Sequence, residues 1–264
     1  MSDVFLSAEG DSPLVISLPH VGTGLAAEIV PALAPKALEV SDTDWHVDRL
    51  YDFAAELGAS RVQARYSRTV IDLNRPPDDE SLYPGQTTTG LCPTETFAGE
   101  PLYRGPGPDA GEIARRRDRY WQPYHVELGR LVARAKARHG HATVLDAHSI
   151  ASHVPRLFDG RLPDVNVGTF AGRSCAPGLS DRLQATLEAQ GRFTHVINGR
   201  FKGGYITRHY GRPADGVHAV QFELGQLAYL DEPGTVYSEA RAADLKALLR
   251  RLVAVLVDYR PEER

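Results

Sequence analysis

Short, continuous apolar runs alternate along this chain with segments whose apolar residues recur at helical spacing. Leu14–Leu18 (LVISL) has the pattern of a strand covered on both faces, and Pro19-His20 ends it. Val47, Leu50, Tyr51, Ala54 and Leu57 share one helical face, which predicts a helix over Trp45–Leu57 closed by Gly58. Arg61–Tyr66 and Thr69–Leu73 read as strands joined by a turn at Ser67-Arg68. A long helix is expected over Asp109–His139, kinked or broken near Pro123, where the ring removes a backbone donor. Ala142–Asp146, Val165–Phe170, Thr194–Ile197 and His218–Leu224 read as further strands, Leu179–Gln190 and Ser238–Tyr259 as helices. This alternation, without repeats or a linker, predicts a single-domain, three-layer α/β sandwich over residues 1–264, around a mixed, largely parallel sheet.

Open α/β sheets place their sites beyond the carboxyl ends of the strands. His20, His148 and Glu223 stand at or near such ends on three different predicted strands. The segment Asn74–Pro108 is rich in Pro, Gly and Thr and lacks periodicity. A loop of that length in a compact domain is usually functional, so residues 74–108 are read as a lid over the site.

Composition narrows the chemistry. The chain has 264 residues, 42% of them hydrophobic, and a formal net charge of −4, which excludes a disordered chain and argues against nucleic-acid binding. Cys92 and Cys175 lie far apart and outside any CxxC pair, so a cysteine-held zinc is not expected and a reduced, cytoplasmic protein is. No basic segment followed by a long apolar run opens the sequence. Leu252–Val257, the longest apolar run near the C-terminus, is far too short to span a bilayer, so no membrane partner is expected. The oligomeric state leaves no mark.

Ten histidines therefore point to nitrogen and oxygen ligands if a metal is used. Asp146, two residues before His148 on the same strand side, is placed to orient its imidazole. Two histidines need a third protein ligand, and the segment TDWHVDRLYD supplies it. Asp48 is the preferred third ligand, with Asp44 and His46 as alternatives. Glu223 faces away from Phe222 and Leu224. Beside a metal-activated water it suits a general base that later returns the proton. HExxH, GxSxG and phosphate-loop motifs are absent.

SLPHVG, SDTDWHVDRLYD, YSRTVIDLNRPP, LDAHSI, GGYITRHYG and VQFELGQ, in this order from about Pro13 to Tyr229, resemble the N-formylglutamate amidohydrolase family of histidine breakdown. The resemblance implies a zinc-exopeptidase-like fold and metal-dependent hydrolysis of N-formyl-L-glutamate to formate and L-glutamate. It implies His20, Asp48 and His148 as ligands of one divalent ion, zinc first, with cobalt or another ion as alternatives. Glu223 matches the catalytic carboxylate. A dicarboxylate leaving group calls for arginine forks, and Arg68, Arg75 and Arg208, supported by Asn74 and His209, are the expected substrate contacts. The remaining seven histidines are read as background, His125, His139 and His141 as solvated or capping. The alternatives are a metal-dependent deacylase or amidase acting on another N-acyl amino acid, and a binding protein for small acidic ligands that turns nothing over.

Overall fold

The computed structural model describes residues 3–82, 85, 88–232 and 234–261. Its strands are β1 (Phe5–Ala8), β2 (Leu14–Leu18), β3 (Ser60–Ala64), β4 (Ala142–Ile150), β5 (Val165–Gly168), β6 (His195–Ile197) and β7 (Val217–Gly225), with a small hairpin of β8 (Leu230–Asp231) and β9 (Val236–Tyr237). The helices are α1 (Val47–Leu50), α2 (Ala110–Arg116), α3 (Gln122–His139), α4 (Pro177–Glu188), α5 (Tyr205–Tyr210) and α6 (Glu239–Asp258). Seven strands form one sheet in the order β1-β3-β2-β4-β7-β5-β6. The central strands β3, β2, β4 and β7 run parallel, whereas β1 and β5 are antiparallel to their inner neighbours.

Every residue of β2, β4 and β7 is buried, which explains their unbroken apolar runs. One face carries Ile16, Leu145, Val220 and Phe222 and is covered by α1, α4 and α6. The other carries Val15, Val62, Val144 and Ala219 beneath α3, with Ile206 of α5 joining them. These two cores make the three layers of the expected mixed, largely parallel α/β sandwich. Leu245, Leu248, Leu249, Leu252 and Leu256 seat α6, and burying each such side chain stabilises the fold by about 1.5–3 kcal/mol. Among the described residues no helix is long and apolar enough to cross a membrane.

Two expectations need correction. Thr69–Leu73 is no strand: the Val70 N–H donates to Ser67 O in a turn and the Asp72 N–H to Leu91 O of the following loop. The Asn74 N–H closes an Asx turn on Asp72 Oδ1 at 2.8 Å. Trp45–Leu57 is not one helix either. His46 adopts a left-handed conformation (φ 58°), α1 starts only at Val47, and a 3-10 segment, Asp52–Leu57, follows. The long helix is interrupted as expected, by a π-helical turn at Arg117–Trp121 immediately before Pro123. β1, α5 and the β8–β9 hairpin had no counterpart in the sequence pattern.

Candidate active site

Strand alternation builds the floor of the site. Val144 of β4 and Ala219 of β7 lie under α3. Two and four residues further, the same face of the two strands presents Asp146 beside Gln221 and His148 beside Glu223, in register. His20 follows the end of β2, and its carbonyl accepts from the Asp44 N–H at 3.0 Å, which pins the turn before α1 against that strand end.

Asp44 stands between the two imidazoles. Its Oδ2 is 3.0 Å from His148 Nδ1 and 3.8 Å from His20 Nδ1. The far nitrogens are held by other carboxylates: His20 Nε2 donates to Asp72 Oδ1 at 2.7 Å, and His148 Nε2 to Asp146 Oδ1 at 2.8 Å. Fixing the outer nitrogen of each ring leaves the inner nitrogens facing Asp44, the arrangement that carboxylates impose on metal-binding histidines. The three buried groups offer donor atoms within 4.8 Å of one another, a nitrogen and oxygen set suited to zinc and related divalent ions.

Charges around the cluster are coupled. Burial opposes ionisation of Asp72, but Arg68, His20 and Arg75 hold its carboxyl well below the usual range. Burial, and then the Arg68 charge, lower the His20 pKa. For His148 burial works the other way from Asp146 and Asp44, and the two carboxylates win, raising it well above the ordinary value. Glu223 is pushed up to about 8, chiefly by burial, with His148 opposing and Asp44 adding to the rise. Gln221 Nε2 donates to Glu223 Oε2 at 2.9 Å, and the Gly204 N–H fixes the other end of that amide through Gln221 Oε1 at 2.7 Å.

The cavity above this floor is lined by His20, Asp44, His148 and Glu223, by Arg68, Asn74 and Arg75, and by Gln221, Arg200 and Phe97. Of the expected ligands, His20 and His148 come together and Asp48 does not join them. Asp48 lies on α1, and its Oδ2 accepts from Gln63 Nε2 at 3.3 Å on β3. Asp44, one of the two alternatives, takes the position because it precedes the helix in the turn tied to His20. His46, the other alternative, donates from Nε2 to Thr235 O at 3.0 Å, away from the cluster.

The expected substrate contacts divide. Arg68 and Arg75 reach the cavity, and both lie against Asp72, Arg68 in a short ion pair and Arg75 at 3.9 Å. Asn74 lines the cavity and is held from both ends: Nδ2 donates to Asp146 Oδ2 at 2.9 Å and Oδ1 accepts from the Ile206 N–H at 2.8 Å. A Cβ on Gly204 would sit 2.4 Å from Asn74 Nδ2, so this glycine makes room for that side chain. Arg208 and His209 do not line the cavity. Arg208 donates to Gly203 O and Leu82 O, and the His209 ring stacks on Tyr205 at 4.8 Å. His125, expected to be solvated or capping, is buried, stacked on Trp121, and donates to Leu73 O at 2.9 Å.

Four participants were missed, Gln221 of β7 among them. Asp72 carried a signal, a lone carboxylate between Ile71 and Leu73. Arg200 and Phe97 carried none, because each reaches the site from an aperiodic loop.

An α/β sheet whose strand ends hold paired histidines, carboxylates and a buried glutamate has the make-up of a hydrolase. Comparison with known proteins fixes the class and makes it specific. The profile of the N-formylglutamate amidohydrolase family matches residues 12–230, and the chain belongs to that family. It is 51% identical over 261 residues to the N-formylglutamate deformylase of Pseudomonas aeruginosa, covering 98% of each chain. To the N-formylglutamate deformylase of Pseudomonas putida it is 49% identical, covering 99% of this chain and 98% of the relative. The crystal structure of N-formylglutamate amidohydrolase from Ralstonia eutropha JMP134 superposes with a TM-score of 0.80 at 28% identity, over 96% of both chains. A gene product of Agrobacterium tumefaciens shares the fold, with a TM-score of 0.71 at 18% identity over 97% of this chain and 95% of the other.

Proposed function

We propose that this chain is a cytoplasmic, metal-dependent enzyme that hydrolyses N-formyl-L-glutamate to formate and L-glutamate, with Glu223 carrying the proton. The observation that supports this most is the register of β4 and β7, which sets the Glu223 carboxyl beside the His20–Asp44–His148 cluster in a cavity that also receives arginines.

His20 and His148, through Nδ1, and Asp44 would hold one divalent ion, zinc first. When bound, that ion supplies Lewis-acid polarisation of the formyl carbonyl and a lower pKa for attacking water. The protein's own groups do the rest. Asp72 and Asp146 keep both imidazoles oriented. Glu223, its Oε2 steadied by Gln221, accepts a proton from the water that adds to the formyl carbon. It returns that proton to the nitrogen as the C–N bond breaks. The water oxygen leaves in formate and the proton on the amine of glutamate. Glu223, pushed up to about 8 mainly by burial, would be drawn back toward the range of a base at neutral pH with a cation held by His20, Asp44 and His148. Arg75 and Arg200 face the cavity and receive the two carboxylates of the substrate, with Arg68 holding Asp72 in place.

Residues 74–108 close over the bound substrate as a lid. In support, Thr88, Thr89 and Phe97 of this loop line the cavity. Residues 83, 84, 86 and 87 of that loop lie outside the described residues. L-Glutamate is expected to slow proteolysis within it, and unchanged cleavage would contradict the lid.

The deciding assay is formate release from N-formyl-L-glutamate beside acid release from N-acetyl-L-glutamate and N-formyl-L-aspartate. A clear preference for the first substrate is expected. Equal turnover of all three would leave an unselective deacylase instead.

A further inference from the structure

A second cavity, of about 510 Å3, adjoins the much smaller one that holds Glu223, which measures about 80 Å3. Phe97, Ser149 and Ile150 line both, so these residues form the partition between them. Phe97 is the largest of the three and comes from the 74–108 loop. Its position is built rather than incidental. Its backbone N–H donates to Asp42 Oδ2 at 2.8 Å, and Asp42 itself lines the second cavity. The Arg68 guanidinium lies 4.6 Å from the centre of the Phe97 ring and is anchored on Asp72. The ring also packs against the small cluster of Ile150, Val154 and Leu162.

Charge decides which end of a substrate faces this wall. In the second cavity Lys36 is paired with Glu39 at 3.0 Å and Glu100 at 3.3 Å, and Arg156 with Glu95. Arg75, itself 3.9 Å from Asp72, and Arg200 line the first cavity, and a dicarboxylate is placed on their side of it. With the scissile carbonyl at the histidine cluster, the acyl substituent is left pointing at Phe97.

We infer that Phe97 is the acyl-selecting residue: its ring closes the small chamber behind a formyl hydrogen and shuts out longer acyl groups, for which the second cavity holds the space. This rests on the proposed hydrolysis of N-formylglutamate and adds to it the cause of the formyl preference. The bond broken is the same amide C–N bond for every acyl group, with water supplying the oxygen of the released acid.

The test is kcat/KM for N-formyl-, N-acetyl-, N-propionyl- and N-butanoyl-L-glutamate with metal-loaded wild type, Phe97→Ala and Phe97→Leu. A single methylene in an apolar pocket is commonly worth about 10–200-fold in discrimination. Phe97→Ala is accordingly expected to raise the acetyl-to-formyl and propionyl-to-formyl ratios by at least about 10-fold, with Phe97→Leu intermediate. Unchanged ratios in an active Phe97→Ala enzyme overturn the inference. So does a parallel loss on all four substrates in both variants, the signature of a merely structural role. Should Phe97→Ala fail to fold, the Phe97→Leu ratio decides by the same criterion. Wild type that releases no formate overturns the proposed function and this inference together, and differs from the other outcomes because the parent enzyme is then inactive.

Discussion

The two sides of the cavity are made differently. On one side His148 and Glu223 belong to adjacent, fully buried parallel strands, with His20 two residues beyond a third. Their backbones are fixed by the sheet, and each imidazole is held by a carboxylate. On the other side Arg75, Arg200, Thr89 and Phe97 come from aperiodic segments. Arg75 leans on Thr89 O at 2.8 Å, and Arg200 on Leu157 O at 2.8 Å. On the proposed mechanism, most groups that must meet reacting atoms sit at the strand ends, whereas the groups assigned to the remainder of a small acid are carried by loops. Changes on the sheet side should therefore alter turnover, and changes on the loop side should alter affinity and selectivity.

The largest effect expected is at Glu223. Glu223→Gln keeps the shape and the Gln221 contact but removes the proton carrier, so kcat for formate release should fall about 10²–10⁴-fold with metal content unchanged. Near-normal turnover would break the contrast at its centre.

Next come the groups behind the histidines. Asp146→Asn and Asp72→Asn should each weaken metal binding about 10–100-fold, read by competition with a chelating dye. Asp48→Asn, outside the cluster, should leave it unchanged.

Arg200→Ala and Arg75→Ala should raise KM by about 10–100-fold with a smaller change in kcat, as fits the loss of a charged hydrogen bond of about 1.5–3 kcal/mol. Arg208→Ala should have the least effect of the three. Equal losses in kcat would move these arginines to the sheet side of the comparison.

The smallest effect concerns stability. His125, buried on α3 beneath the loop at Leu73, has its pKa lowered to about 3, chiefly by burial. A native pKa below the unfolded value means stability is complete above pH 6.5 and is lost as the pH falls from there toward 3, by about 1.4 kcal/mol per unit. In His125→Gln, urea denaturation at pH 7 and pH 5.5 should therefore show a shallower acid dependence than in wild type.

The same division explains what could be read from sequence. β2, β4 and β7 were visible because burial on both faces writes an unbroken apolar run, and the polar residues that interrupt or follow those runs are the ones the sheet aligns. His20, His148, Glu223 and the Asp146 partner came from that pattern alone. The third member of the cluster was displaced by four residues. An acidic face at i, i+4 favours Asp48 only if the helix begins early, and the left-handed backbone at His46 delays it until Val47. Recognition was the harder part. Arg208 sits in a conspicuous motif but spends its donors on backbone carbonyls, while Arg200 and Phe97 reach the cavity through long-range folding of loops without periodicity.

The most direct test of the whole account is formate release from N-formyl-L-glutamate by one protein preparation before chelation, after exhaustive chelation and after return of one equivalent of zinc or cobalt, with Asp44→Asn carried in parallel. The account predicts that wild-type activity disappears with the metal and returns with it, and that Asp44→Asn recovers little at the same metal concentration. Full activity in the stripped wild-type enzyme, or full recovery by Asp44→Asn, would contradict it.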